Sequence, residues 1–152
     1  MIDYQYQRWY TSAMDSDSTL HIAAELKNLN VIRRFVQETA SAFGADRDVI
    51  ADVILATDEA ATNIIVHGYQ NQPGPIEIEL HRSGDAIVIY MRDRSPPFDP
   101  TSVPSPDVTQ PLDERPLGGM GIHLIRQLMD EVTHRLLPQG GNELTMTKKG
   151  VT

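Results

Sequence analysis

Seven of the ten prolines in this 152-residue chain lie between Ser95 and Pro116, at positions 96, 97, 100, 104, 106, 111 and 116. Each proline fixes φ and removes a backbone donor, so neither a helix nor a central strand persists through that stretch. A connection this long inside a compact domain is usually functional or mobile. The packed elements must therefore come from the residues on either side of it.

Upstream, residues 18–26 read as a first strand. Leu29–Phe43 carries Val31, Ile32, Phe35, Val36, Thr39 and Phe43 at helical spacing, and Gly44 stops it. A second helix runs from about Asp46, a fitting N-cap, to His67. Its buried stripe is Val49, Val53, Ala56, Ala60 and Ile64, and Gly68 ends it. Ile76, Ile78 and Leu80 then alternate with Glu77, Glu79 and His81, as in a half-exposed strand. Ser83–Gly84 turns the chain into a more buried partner strand, 86–92. Downstream, a third helix spans Ile122–Met129, and two closing strands span Val132–Leu136 and Glu143–Thr147.

Hairpin-spaced strands with separate helices imply an α+β two-layer sandwich, its mixed and mostly antiparallel sheet carrying the helices on one face. Residues 18–150 form one domain. Residues 1–17 form an N-terminal extension, and Tyr4, Tyr6 and Tyr10 at alternate positions leave it either an added edge strand or a tail.

Charge narrows the partners. With 21 acidic and 13 basic residues the net charge is −8, which argues against direct nucleic-acid binding through clustered Lys and Arg. No apolar run approaches the roughly 20 residues of a membrane span, and the first ten residues lack a signal-peptide pattern. The absence of cysteine excludes disulfides and thiolate metal sites, so the expected location is the cytoplasm.

Three segments carry chemistry. In the first, Glu59, Asn63 and His67 are four residues apart, a polar ladder on one helix face. An Asn amide oxygen suits Mg²⁺, which takes few protein ligands, and a neighbouring carboxylate could deprotonate a hydroxyl. The same spacing also fits a surface ladder bonded to itself. In the second, Asp93 ends a buried strand where it either caps the turn or accepts from an exocyclic amine such as adenine N6. In the third, Gly118-Gly119-Met120-Gly121 opens a helix, where backbone N–H groups can approach phosphates or small residues can ease packing. No Lys-Ser/Thr follows these glycines and no strand precedes them, so they form neither a P-loop nor a dinucleotide fingerprint. His21, His81, His123 and His134 share no ligand spacing and read as surface or packing residues. Trp9 with the early tyrosines reads as a packing patch, and no nucleophile elbow supports Ser/His/Asp catalysis.

Taken in order, these segments resemble the GHKL ATP-binding fold of histidine kinases, gyrase-type topoisomerases and heat-shock chaperones. EAATNIIVHGY at 59–69, DRSPPFD at 93–99, GGMGIHLIRQLMDEV at 118–132 and a last strand ending NELTMTKK resemble the anti-sigma-factor serine kinase branch in particular, over about residues 18–149. The resemblance implies that Asn63 is a Mg²⁺ ligand, Glu59 the catalytic base and Asp93 the adenine contact. Gly118, Gly119, Met120 and Gly121 would surround the phosphates, with His67, Ser95 and Phe98 also against the nucleotide. Residues 95–117 would form the ATP lid, and Arg115 would meet the terminal phosphate. It further implies ATP as substrate, a STAS-type anti-anti-sigma protein as phosphoacceptor, a sigma factor as second partner, and a homodimer. One departure stands out: Ser95 and Pro97 replace both glycines of the family's D-x-G-x-G box. An active kinase and a nucleotide-binding partner switch without transfer therefore both remain open. The catalytic half of a histidine kinase is disfavoured, because Met1–Asp17 is too short for an acceptor hairpin.

Overall fold

A computed structural model describes residues 8–11, 17–99 and 119–151, with the side chains of 18–99 and 121–151. The expected sites Arg115 and Gly118, and the lid beyond Asp99, lie outside the described residues. Six strands form one sheet: β1 (Arg8–Thr11), β2 (Asp17–Ala23), β3 (Pro75–Ser83), β4 (Ala86–Asp93), β5 (Glu131–Leu136) and β6 (Asn142–Lys149). Their order is β1-β2-β3-β4-β6-β5. Every pairing is antiparallel, so the parallel component allowed by a mixed sheet is absent among these strands. Within the N-terminal extension, Arg8–Thr11 is an edge strand on β2.

Three helices, α1 (Leu29–Ala42), α2 (Arg47–Asn63) and α3 (Gly119–Leu128), cover one face of the sheet. Asp46 caps α2 as its sequence suggests, its Oδ1 accepting from the Val49 N–H at 2.9 Å. On that side, alternate strand residues such as Ile78, Leu80, Ile89, Met91 and Met146 are fully buried and share one core with Phe35, Val36, Val53 and Ala56.

Several boundaries differ from the sequence reading: the first strand, expected over 18–26, spans Asp17–Ala23, and two differences fall at the site. The α2 stripe does not run on to Ile64, which is half-buried; Ile65 is buried instead. The cause is a π-helical turn over Ile64–Gly68. Its wider turn advances the buried face by one residue, and such turns recur at functional sites. The third helix starts at Gly119, so the glycines form its first turn instead of preceding it.

The opposite face is polar. The Arg92 guanidinium donates to Glu143 at 2.7 Å, to Glu77 at 2.6 Å and to Glu79 at 3.1 Å. Arg135 donates to the other oxygen of Glu143 at 2.6 Å. Glu79 also pairs with His81, whose ring stands edge-on to Tyr90. Burial alone would raise the Glu79 and Glu143 carboxyls, but hydrogen bonds from His81 and Arg92 on the first, and from Arg135 and Arg92 on the second, hold both below the ordinary value near 4.5. A depressed folded value means stability that is complete above about pH 4.5 and lost as pH falls through that lower value.

Replacing Arg92 by Ala is expected to cost about 1–3 kcal/mol at neutral pH, the scale of hydrogen bonds to charged groups. Urea unfolding followed by circular dichroism should show the gap from wild type narrowing as the carboxylates protonate. A gap independent of pH would mean that the pairs contribute nothing.

Candidate functional site

The three sequence segments converge at the C-terminal end of α2. Gly121, in the first turn of α3, lies so close to Asn63 that an added Cβ would sit 3.0 Å from Nδ2 and 3.1 Å from Oδ1. Gly68, at the end of the π-helical turn, packs likewise on Ser95, 2.7 Å from its Oγ. Tyr69 secures the junction: its hydroxyl donates to the Pro75 carbonyl at 2.7 Å and accepts from the Arg94 N–H at 2.7 Å. Local chemistry thus explains why residues so far apart in sequence meet. Small residues permit the approach, and one phenol bridges two backbone segments.

Between these segments opens a cleft that is continuous with solvent. Asn63, Asp93, Ser95 and Phe98 line it, with Ile122, Ile125 and Leu144 as apolar walls. Among the described residues, neither Lys nor Arg lines it.

Asp93 is buried, and its Oδ1 accepts three bonds: from the Ser95 N–H at 2.9 Å, the Ser95 hydroxyl at 2.6 Å and the Asn142 amide at 3.1 Å. Such donors offset the cost of taking a carboxylate out of water. Its Oδ2 accepts none among the described residues. The turn-capping role that the sequence allowed for Asp93 is therefore real, and it uses one oxygen only.

Asn63 faces the cleft with no hydrogen-bond partner for its amide among the described residues. Glu59, one turn earlier and half-buried, is equally unpartnered there, so the ladder is not bonded to itself. His67 is exposed and, like Glu59, is not among the cleft-lining residues. Gly119 and Met120 open α3, whose first N–H groups lack intrahelical acceptors. Phe98 is 47% exposed at the cleft mouth.

Sequence reasoning passed over two lining residues, Asn142 and His134. His134 was read as surface or packing, yet its ring nitrogen lies 3.1 Å from the Asn142 amide oxygen. Only the strand register, which sets Asp93 opposite Asn142, brings them to the site. The preceding Gly141 was a usable sign: its φ is +99°, and a Cβ there would meet the Asp93 carbonyl oxygen at 2.0 Å.

Among the described residues, no group of three or more His, Cys, Asp or Glu is arranged to hold a metal, and no helix is long and apolar enough to cross a membrane. Gly141→Ala combines a left-handed backbone with a backbone clash and is expected to destabilise the fold by about 2 kcal/mol or more. Gly140→Ala, with open space around its Cβ, isolates the backbone term. Equal losses for the two in urea unfolding would show that the close approach to Asp93 does not matter.

Residues 22–148 match the family described as the histidine kinase-like ATPase domain. The protein named serine-protein kinase RsbW from Bacillus cereus strain G9842 is 31% identical over 133 residues, covering 85% of this chain and 82% of the relative. Proteins of the same name from Bacillus cereus strains B4264 and Q1 are 31% and 30% identical with the same coverage. This chain belongs to the histidine kinase-like ATPase domain family, on the side of its serine-protein kinases.

Proposed function

We propose that this chain is an ATP-dependent serine/threonine protein kinase of the anti-sigma type. It phosphorylates a STAS-type anti-anti-sigma protein, sequesters a sigma factor, and regulates transcription by exchanging those partners. One observation carries the reading: the unpartnered amide of Asn63 and the unpartnered Oδ2 of Asp93 open into the same cleft, with the first turn of α3 against Asn63.

The donors fit the groups that such a reaction needs. Asp93 Oδ2 is an acceptor for the adenine N6 amine, while its Oδ1 is held fixed. The N–H groups at the start of α3, at Gly119, Met120 and Gly121, serve the phosphates. A neutral amide oxygen with no competing bond suits Mg²⁺, so Asn63 would hold that ion. When bound, Mg²⁺ would supply positive charge against the phosphates in a cleft whose described lining holds neither Lys nor Arg. Glu59 takes the proton of the acceptor hydroxyl as that oxygen bonds to the terminal phosphorus and the bond to ADP breaks. Arg115 steadies the terminal phosphate, Ser95 and Phe98 flank the base, and His67 lies at the outer edge. The protein works in the cytoplasm as a homodimer, with no direct contact to nucleic acid or membrane.

A second reading has its own support. Ser95 and Pro97 occupy the family's glycine positions, and Ser95 is buried and bonded to Asp93. A module so stiffened would hold ATP or ADP and act by sequestration alone.

Calorimetry with ATP, with and without Mg²⁺, should show magnesium-dependent binding that weakens by about tenfold or more in Asn63→Ala, the scale of a lost charge-assisted contact. In Glu59→Gln, labelled phosphate transfer to the co-purified acceptor should fall by about 10²-fold or more while nucleotide affinity is retained. Wild-type protein that ignores ATP under both conditions would refute both readings. Binding without transfer to any partner would leave the sequestration module standing.

A further inference from the structure

Asn142 makes more contacts with the segment after Asp93 than any assigned site residue. Its amide nitrogen lies 3.1 Å from Asp93 Oδ1, 3.2 Å from the Ser95 carbonyl, 3.3 Å from the Ser95 hydroxyl and 3.2 Å from the Pro96 carbonyl. Its amide oxygen accepts from the Phe98 N–H at 3.0 Å. The side chain is 5% exposed. Three of those neighbours can only accept, which fixes which end of the amide is nitrogen. The oxygen therefore faces His134, and His134 Nε2 must carry a proton and donate across the 3.1 Å between them. The other ring nitrogen of His134 lies 3.6 Å from an Asp99 carboxylate oxygen.

We infer that Asn142 is a positioning residue for base recognition and nucleotide retention: it locks the Asp93 carboxylate and the Ser95–Phe98 backbone into one arrangement, and His134 braces it from β5. The inference rests on the nucleotide reading of the cleft. A carboxylate at a strand end can rotate about χ2, and either oxygen can then turn to solvent. The Asn142 N–H, together with the Ser95 N–H and hydroxyl, assigns Oδ1 to the protein and leaves Oδ2 for the ligand. The same amide spans Ser95 through Phe98, where two prolines and the Ser95 side chain stand in place of a glycine-rich turn. A tether from β6 keeps Phe98 at the cleft mouth in a segment with few backbone bonds of its own.

The experiment has two arms on the full-length chain. The first is hydrogen–deuterium exchange over residues 94–99 in nucleotide-free protein. The second is stopped-flow release of mant-ATP and of mant-GTP. In Asn142→Ala, exchange at Ser95 and Phe98 should quicken by about tenfold, as for loss of more than one buried hydrogen bond. Release of mant-ATP should quicken by about five- to tenfold. The preference for mant-ATP over mant-GTP should fall by a similar factor, which a general loss of stability would not cause. His134→Phe keeps every Asn142 N–H bond and should give smaller changes in the same direction, so it serves if Asn142→Ala fails to fold. Unchanged exchange over 94–99 in the folded variants would overturn the inference. So would faster release with the ATP preference intact. If the wild type binds neither nucleotide, the nucleotide reading fails and with it the inferred role in recognition, whatever the exchange arm shows.

Discussion

The pairing of β4 with β6 is the constraint on which the site depends. It sets Asp93 opposite Asn142 and Arg92 opposite Glu143. Because successive strand residues point to opposite faces, these two pairs hold the same strand ends from both sides of the sheet. On the open face Arg92 and Glu143 form a charged pair within a larger ionic network. On the helix face Asp93 and Asn142 form a neutral-to-charged hydrogen bond at the floor of the cleft. A shift of register by one residue would exchange the two faces, exposing apolar residues such as Met91 and burying the ionic network. The apolar core and the site are therefore fixed by one and the same alignment.

Glycine acts in this protein mainly by absence of bulk. Gly68 against Ser95, Gly121 against Asn63 and Gly141 against the Asp93 carbonyl are three places around the cleft where elements from different parts of the chain approach within van der Waals limits. Only Gly141 among them also needs a left-handed backbone. Each contact joins α2, the end of β4, the start of α3 or the β5–β6 turn to a neighbour, and together they enclose the cleft. Tyr69 complements them with directionality, since its hydroxyl both donates and accepts at 2.7 Å. The α2 helix can reach all of these partners because its last turn widens into the π form at Ile64–Gly68.

Periodicity made most of the fold legible. Alternation in 76–80 and helical spacing in 29–43 follow from burial on one side, and the structure buries Ile76, Ile78, Leu80, Ile32, Phe35 and Val36 accordingly. Asp46 was legible as a cap because capping is a local interaction. The π-helical turn was not, since its cause is tertiary: Gly68 must seat on Ser95 and Tyr69 must reach Pro75 and Arg94. Asn63, Asp93 and Ser95 were legible as members of one ordered motif set, and the structure brings them to one cleft. Asn142 and His134 were not, because neither stands in a distinctive local pattern. Their place at the site follows from the insertion of β6 between β4 and β5.

The loss of the two glycines after Asp93 gains a physical meaning from this arrangement. A glycine-rich turn leaves the backbone many conformations, and ordering it on a ligand costs conformational entropy at the moment of binding. Pro97 removes part of that freedom in advance, and Ser95 supplies both an N–H and a hydroxyl to Asp93. Asn142 then restrains the same segment from the neighbouring strand. Ser95, Pro97 and Asn142 thus act in the same direction, toward a preorganised cleft floor, which under the proposed function would receive the base. Preorganisation favours binding without specifying transfer, which under the proposed function would depend on Glu59 and on the start of α3. That is why one altered box is compatible with tight nucleotide recognition whether or not phosphate is passed on, and why the chemistry at Glu59 must be tested separately from affinity.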